Sequence, residues 1–182
     1  LGGSFNPAHA GHLHISNTAK KHLGLDEIWW LVAPQNRLKS TFEMESFDKR
    51  LSCARLITEK ISYIKVLDLE EKNKLYASYQ TVNFLNSKTQ KTKFVWLMGS
   101  DILDSYNKWL YPASIAKRIY VAVISRPGFA SSFVNTQKTR LLGKRLKTSK
   151  SKFIFNYNKP IWVFIKNKLL AISSTELRKI NN

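Results

Sequence analysis

The sequence predicts an α/β fold built on a doubly wound parallel sheet, and three observations carry that prediction. Apolar runs rich in β-branched and aromatic residues recur at Ile28–Ala33, Ile61–Leu67, Phe94–Met98, Ile119–Ser125 and Ile161–Ile165. Amphipathic helical patterns lie between them. Runs that are apolar on both sides belong to strands covered on both faces, which is the condition of a parallel sheet with crossover helices. Lastly, the segments that follow the runs are rich in Gly, Ser, Asn, Arg and Lys: PQNRLKS, GSD, RPG and KNKLLAISSTELRK. Ligands of such sheets bind outside the carboxyl ends of the strands, so these junctions are candidate binding loops.

The elements follow in order. GGSFNPAHAGH, residues 2–12, leads into a helix that begins near Ala10–Leu13, runs to Leu23 and is stopped by Gly24. Ser46–Lys60 opens at a capping serine and sets Phe47, Leu51, Ala54 and Ile57 along one face. The single cysteine, Cys53, lies in this helix, and its neighbours Leu51, Ala54 and Leu56 predict a packed site for it rather than a reactive thiol. Ser78–Leu85 and Tyr111–Lys117 read as shorter helices, and Thr136–Lys152 as the least structured stretch, with room for a helical turn or two in TRLLGKRL. No internal repeat is present.

The chain has 182 residues, the size of one domain. One cysteine excludes an internal disulfide and a multi-cysteine zinc site. No run approaches the ~20 apolar residues of a membrane span. No charged-then-apolar leader is visible, so a cytoplasmic location is expected. Net charge is +18, and residues 127–182 hold twelve Lys or Arg against one acid, Glu176. Such an excess suits an anionic partner, nucleotide phosphate or nucleic acid, with a solvated basic face as the plain alternative.

The first loop suits phosphate. Gly2 and Gly3 let the backbone approach a ligand closely, Pro7 stiffens the turn, and the free N–H groups of the next helix face the loop. His9 and His12 then lie beside an anion site, where imidazole donates to phosphate oxygens and a nearby anion favours its charged form. As metal ligands the pair lacks an obvious third member, and His14 and His22 read as helix-surface residues. ISSTELR, residues 172–178, is a second helix start, capped by Ser173 or Ser174, with Arg178 one turn in and able to fork onto phosphate.

Together the two boxes resemble the signatures of the nucleotidyltransferase superfamily, GGSFNPxHxGH and ISxTxxR. The segments between them resemble the bacterial nicotinate-mononucleotide adenylyltransferases: PQNRLKS (34–40) as P-x-N-x-x-K, SYQT (78–81) as T-x-x-T with Ser78 at the first position, GSD (99–101) followed by Trp109, and SRPG (125–128) as R-R-P-G. Pantetheine-phosphate adenylyltransferases share the end boxes but lack the SYQT and GSD…W combination.

The resemblance spans nearly all of residues 1–178 and implies a Rossmann-like nucleotidyltransferase fold in a single domain, 1–182. It implies in-line attack of the mononucleotide 5′-phosphate on the α-phosphate of ATP, with no covalent enzyme intermediate. His12, His9 and Arg178 become the catalytic groups. Backbone at Gly3, Ser4 and Phe5 contacts the nucleotide, Gly99 and Asp101 hold the ribose, and Ser173, Thr175 and Arg178 clamp the ATP phosphates. On the mononucleotide side stand Asn36 and Lys39 for its phosphate, Trp109 stacked on the nicotinate ring, Ser78 with nearby N–H groups for the carboxylate, and Tyr79 and Arg126 as further contacts. Mg²⁺ is expected to ride on the ATP phosphates without dedicated protein ligands. The expected partners are ATP and nicotinate mononucleotide, not a membrane or a nucleic acid.

KTSKS (147–151) also resembles the KMSKS loop of class I aminoacyl-tRNA synthetases, but 182 residues leave no room for their further domains. A non-enzymatic nucleic-acid-binding module is the rival from another class. The resemblance further implies more of a first strand ahead of Leu1 and a helix after Arg178. On that count the chain reads as shortened at both ends, weakly active and marginally stable.

Overall fold

The computed structural model describes residues 1–34, 44–88, 91–126 and 137–166. Seven strands and five α-helices occur among them, in the order β1 (Gly2–Gly3), α1 (Ala10–Leu23), β2 (Ile28–Val32), α2 (Phe47–Thr58), β3 (Ile64–Leu67), α3 (Leu69–Lys72), α4 (Ser78–Lys88), β4 (Val95–Gly99), α5 (Pro112–Arg118), β5 (Tyr120–Ile124), β6 (Lys144–Leu146) and β7 (Ile161–Ile165). Every strand pair is parallel. The predicted strands all form, within a few residues of their expected bounds.

The ladders run β1-β2-β3 and β4-β5-β7-β6, so the hydrogen bonding is in two sheets rather than one. β1 is short, and its free side abuts β4 without a ladder: a Cβ on Gly2 would lie 3.3 Å from the Trp96 ring. The chain therefore reverses its direction of travel between β1 and β4. That reversal is the crevice where open α/β sheets take their ligands.

Alternation along the strands accounts for the double winding. Trp30 and Val32 of β2, Ala122 and Ile124 of β5, and Val163 of β7 face one layer; Leu31, Val121, Val123, Trp162 and Phe164 face the other. The first layer is Ile15, Ala19 and Leu23 of α1, Leu51 and Ala54 of α2, and Ile154 of a 3-10 segment, Thr148–Asn156. The second is Val82 of α4, Ile115 of α5, and Leu103, Tyr106 and Leu142 from 3-10 turns.

Two expectations are corrected. Cys53 is exposed, not packed, and so is Leu56. The buried side of α2 is Arg50, Leu51, Ala54 and Thr58, and helical geometry turns residues 53 and 56 away from it. Residues 137–152 are also more ordered than their composition suggests, although the helical turn expected in TRLLGKRL does form. A 3-10 turn, Gln137–Leu142, reaches Gly143, and β6 follows as the edge strand. Its polarity is that of an edge: Lys144 and Arg145 are exposed, and the Arg145 guanidinium lies over the Trp162 and Phe164 rings. The KTSKS stretch serves packing, since Thr148 Oγ1 donates to Phe164 O and Ser151 Oγ to His22 O, both at 2.8 Å.

Gly143 is the tightest position in this region. It has φ +85°, and a Cβ there would lie 2.4 Å from the Pro160 carbonyl oxygen. Backbone in the left-handed region combined with a backbone clash should make Gly143→Ala destabilising by at least about 2 kcal/mol. Urea unfolding checks this; a variant as stable as the parent contradicts the assigned geometry.

Candidate active site

The first turn of a helix leaves backbone N–H groups without partners. At α1 two imidazoles satisfy some of them. His9 is the N-cap, and its Nδ1 accepts from Gly11 N–H at 3.0 Å. His12 Nδ1 accepts in return from His9 N–H at 3.2 Å, closing a reciprocal capping box. With both Nδ1 atoms accepting, each neutral imidazole carries its proton on Nε2. The rings lie 4.0 Å apart between centroids.

His9 is buried, and its Nε2 finds no partner among the described residues. Burial and the charge of Arg126 lower its pKa to about 4, so His9 is neutral at pH 7 and presents an N–H donor without charge. His12 is held from beneath. Its ring sits 4.7 Å from Phe5 and 5.8 Å from Trp30, Ser16 Oγ donates to its carbonyl, and Trp30 Nε1 donates to that same Ser16 oxygen.

The loop before α1 holds an unusual backbone. Phe5 has φ +48° and the Asn6–Pro7 peptide is cis. The Phe5 side chain is in the core, stacked on Trp30, so only its backbone is available to a ligand. Gly3 ends β1, and its carbonyl accepts from Ala33 N–H. Ser4 is buried, with Oγ unpartnered among the described residues.

The tips of β4 and β5 meet through one grip. Ser100 Oγ accepts from Arg126 N–H at 2.8 Å, and Asp101 Oδ2 takes Arg126 Nη1 at 2.8 Å. Asp101 Oδ1 is buried without a described partner. Gly99 permits this approach, since a Cβ there would lie 2.3 Å from Asp101 Oδ1. Gly3, Ser4, Phe5, His9 and His12 thus belong to one tip, and Gly99, Asp101 and Arg126 to the adjoining ones, with the Arg126 charge felt at His9.

Ser78 and Tyr79 open α4. The Tyr79 ring contacts Tyr111 at 4.9 Å and the Arg118 guanidinium at 5.5 Å, not the histidine loop. Thr81, last of the SYQT box, is buried and donates to Glu70 Oε1 at 2.7 Å. Burial raises the Glu70 pKa. Trp109 is half-buried, edge-on to Trp96 and 5.2 Å from Tyr106. Asn36, Lys39, Ser173, Thr175 and Arg178 lie outside the described residues.

Sequence reading missed Arg50 and Glu70. Arg50 is buried and binds four backbone carbonyls around the loop tips. The available signal was its place on the apolar side of α2, between Phe47 and Ala54, where a charge is out of pattern.

A Rossmann-like sheet with a histidine-capped helix start at its switch point defines the nucleotidyltransferase class. The sequence matches the cytidylyltransferase-like family over residues 1–180. It is 35% identical to a probable nicotinate-nucleotide adenylyltransferase of Agrobacterium fabrum, over 98% of this chain and 95% of that one. The corresponding protein of Parvibaculum lavamentivorans is 36% identical, over 98% and 89%. Nicotinic acid mononucleotide adenylyltransferase of Plasmodium falciparum has a TM-score of 0.73 in its complex with NaAD and 0.70 in that with APC. Both cover 98% of this chain and 80% of that one, at 20% and 19% identity, a likeness of fold. The chain belongs to the cytidylyltransferase-like family and, within it, to the nicotinate-nucleotide adenylyltransferases.

The burial of His9 beside Arg126 predicts a pH dependence. An unfolded imidazole takes a proton near pH 6.5, the folded one near 4. The stabilising contribution is therefore complete above 6.5 and is lost as pH falls from 6.5 to 4, with a slope of at most about 1.4 kcal/mol per pH unit. His9→Asn keeps a cap acceptor that does not titrate. Denaturation across this window should show the parent losing stability more steeply than the variant; equal slopes count against a buried, neutral His9.

Proposed function

We propose that this chain transfers AMP from ATP to nicotinate mononucleotide, forming nicotinate adenine dinucleotide and pyrophosphate, a step of NAD biosynthesis. The observation that carries the reading is the reciprocal imidazole cap. It commits both Nδ1 atoms to backbone and leaves the His9 Nε2–H buried and unpartnered among the described residues at the switch point. The relatives' names supply the substrate class.

In the reaction an oxygen of the mononucleotide 5′-phosphate attacks the α-phosphorus of ATP. The bond to pyrophosphate breaks as the new one forms, and pyrophosphate leaves. A phosphate oxygen needs no general base, so the protein contributes position and donors. His12 Nε2–H donates at the α-phosphate as charge builds, and His9 holds the neighbouring phosphates. Backbone at Gly3, Ser4 and Phe5 lies along the nucleotide. Gly99 gives it close approach, and Asp101 Oδ1 is the acceptor for a ribose hydroxyl.

Ser173, Thr175 and Arg178 are assigned to the ATP phosphates, and Asn36 and Lys39 to the mononucleotide phosphate. Arg126 stands between the two substrates. Ser78, the first-turn N–H groups of α4 and Tyr79 face the nicotinate carboxylate, with the open part of Trp109 against the ring. Asp101 Oδ1 is the one buried carboxylate oxygen at these tips without a described partner, and among the described residues no three His, Cys, Asp or Glu gather as a metal site. That donor set fits Mg²⁺ carried in on ATP, where it screens the triphosphate. We place the reaction in the cytoplasm, where ATP is available; no described helix is long and apolar enough to cross a membrane.

His12→Ala should keep the fold and lower turnover by ~10²–10³, the usual effect of removing one donor to transition-state charge. Dinucleotide formation from Mg-ATP and nicotinate mononucleotide measures it. Undiminished turnover in a folded variant would sink the assignment. Nicotinate mononucleotide should also be preferred over its amide, because the amide NH₂ sets a donor against donors and leaves them unpaired. Comparing kcat/KM for the two substrates tests this, and Ser78→Ala should narrow the gap; equal values refute it.

A further inference from the structure

We infer that Arg50 is a positioning residue for adenylyl transfer, one guanidinium that sets the histidine loop against the tip of β2; the inference rests on the function proposed above. Its Nε donates to Glu45 O at 3.0 Å, Nη1 to Ser4 O at 2.6 Å and Ala33 O at 2.8 Å, and Nη2 to Pro34 O at 2.8 Å. Four of its five N–H groups thus bind carbonyls from three segments: the loop after β1, the end of β2 and the lead into α2. Arg50 is 2% exposed, packs over the Phe47 ring at 5.6 Å, and has no carboxylate partner among the described residues.

A buried cation with no carboxylate in contact, and only the more distant Glu71 charge to favour it, is an expensive way to fill the inner face of a helix. Burial accordingly lowers its pKa. A methionine would occupy much of the same space with no charge to desolvate. Only a planar fork reaches carbonyls on three segments at once, and lysine, a point donor on a flexible stem, does not.

The segments it joins are those that need to be held. Ser4 O belongs to the peptide that enters Phe5, whose positive φ turns the chain toward His9. Ala33 and Pro34 directly follow β2 and precede, in sequence, the residues assigned to the mononucleotide phosphate. The distance between the histidine loop and the tip of β2 is therefore set by a rigid group buried beneath both. Misplacement of reacting groups by about 1 Å is enough to lower rates ~10²-fold.

The test compares Arg50→Lys and Arg50→Met with the parent in melting temperature, kcat, and KM for ATP and for nicotinate mononucleotide. In the folded fraction of either variant, KM should rise for both substrates and kcat should fall, to a combined loss in kcat/KM of ~10²-fold. Arg50→Lys should resemble Arg50→Met, because the fork matters and not the charge. Unchanged KM and kcat in a folded variant, even one with a lowered melting temperature, overturns the inference and leaves Arg50 a stability residue.

Should neither variant fold, ¹⁵N NMR of the parent decides. Four hydrogen bonds to fixed carbonyls should give slowly rotating, separately resolved Arg50 Nη signals, and averaged signals overturn the proposal. A parent that binds a non-hydrolysable ATP analogue but forms no dinucleotide refutes the proposed function instead. Arg50 is then judged by analogue affinity, which Arg50→Lys should weaken about tenfold for a misplaced loop and which, if unchanged, overturns the inference.

Discussion

The N–H groups at the start of α1 must be satisfied by something, and in this protein imidazole nitrogens do it. That single requirement organises the site. Because His9 Nδ1 receives Gly11 N–H and His12 Nδ1 receives His9 N–H, neither ring is free to rotate or change tautomer without opening the helix start. The far nitrogens are thereby fixed as donors. A serine or aspartate would cap the helix equally well and leave no N–H pointing outward. The chemistry and the local stability are thus written into the same atoms.

The sheet supplies the rest of the precision. Each central strand is buried on both faces, so its register is fixed by two layers of packing, and the tips inherit that rigidity. Trp30 shows the coupling at one residue. Its ring supports Phe5, its N–H bonds Ser16, and Ser16 in turn bonds the His12 carbonyl. A strand residue on the far side of the core thus holds the first turn of α1 in place. The Ser100–Arg126–Asp101 grip does the same for β4 and β5, where no ladder reaches beyond the tips.

Much of this was legible in the sequence. Continuous apolar runs located the strands because burial on both faces demands them, and Gly24 and Ser46 marked helix ends by their capping chemistry. The histidine loop and the GSD and SR tips stood out because turns beside a ligand need residues that core packing does not. Arg50 and Glu70 did not stand out, since their meaning lies in partners far along the chain: Arg50 bonds Ser4, 46 residues away, and Glu70 bonds Thr81 from a separate helix. Composition also misled at 137–152. An edge strand and 3-10 turns carry the same polar residues as a loop, and contacts far along the chain, such as Gly143 with Pro160 and Ser151 with His22, distinguish them.

The +18 net charge suits an anionic partner, yet the described tips are electrically restrained. Arg126 is paired with Asp101, Arg50 is surrounded by carbonyl dipoles, and His9 is neutral. Two causes keep His9 neutral, burial and the nearby Arg126 charge. A phosphate entering the cleft opposes the second directly, because its negative charge favours the protonated ring. It has no means of relieving the Gly11 N–H bond, which occupies the only nitrogen that could take the extra proton. The cap therefore biases His9 toward donating as a neutral group even beside an anion. Such a donor stabilises charge as it forms without binding the ground-state triphosphate as tightly as a full cation would, and interactions that favour the transition state over the bound substrate are the ones that raise turnover.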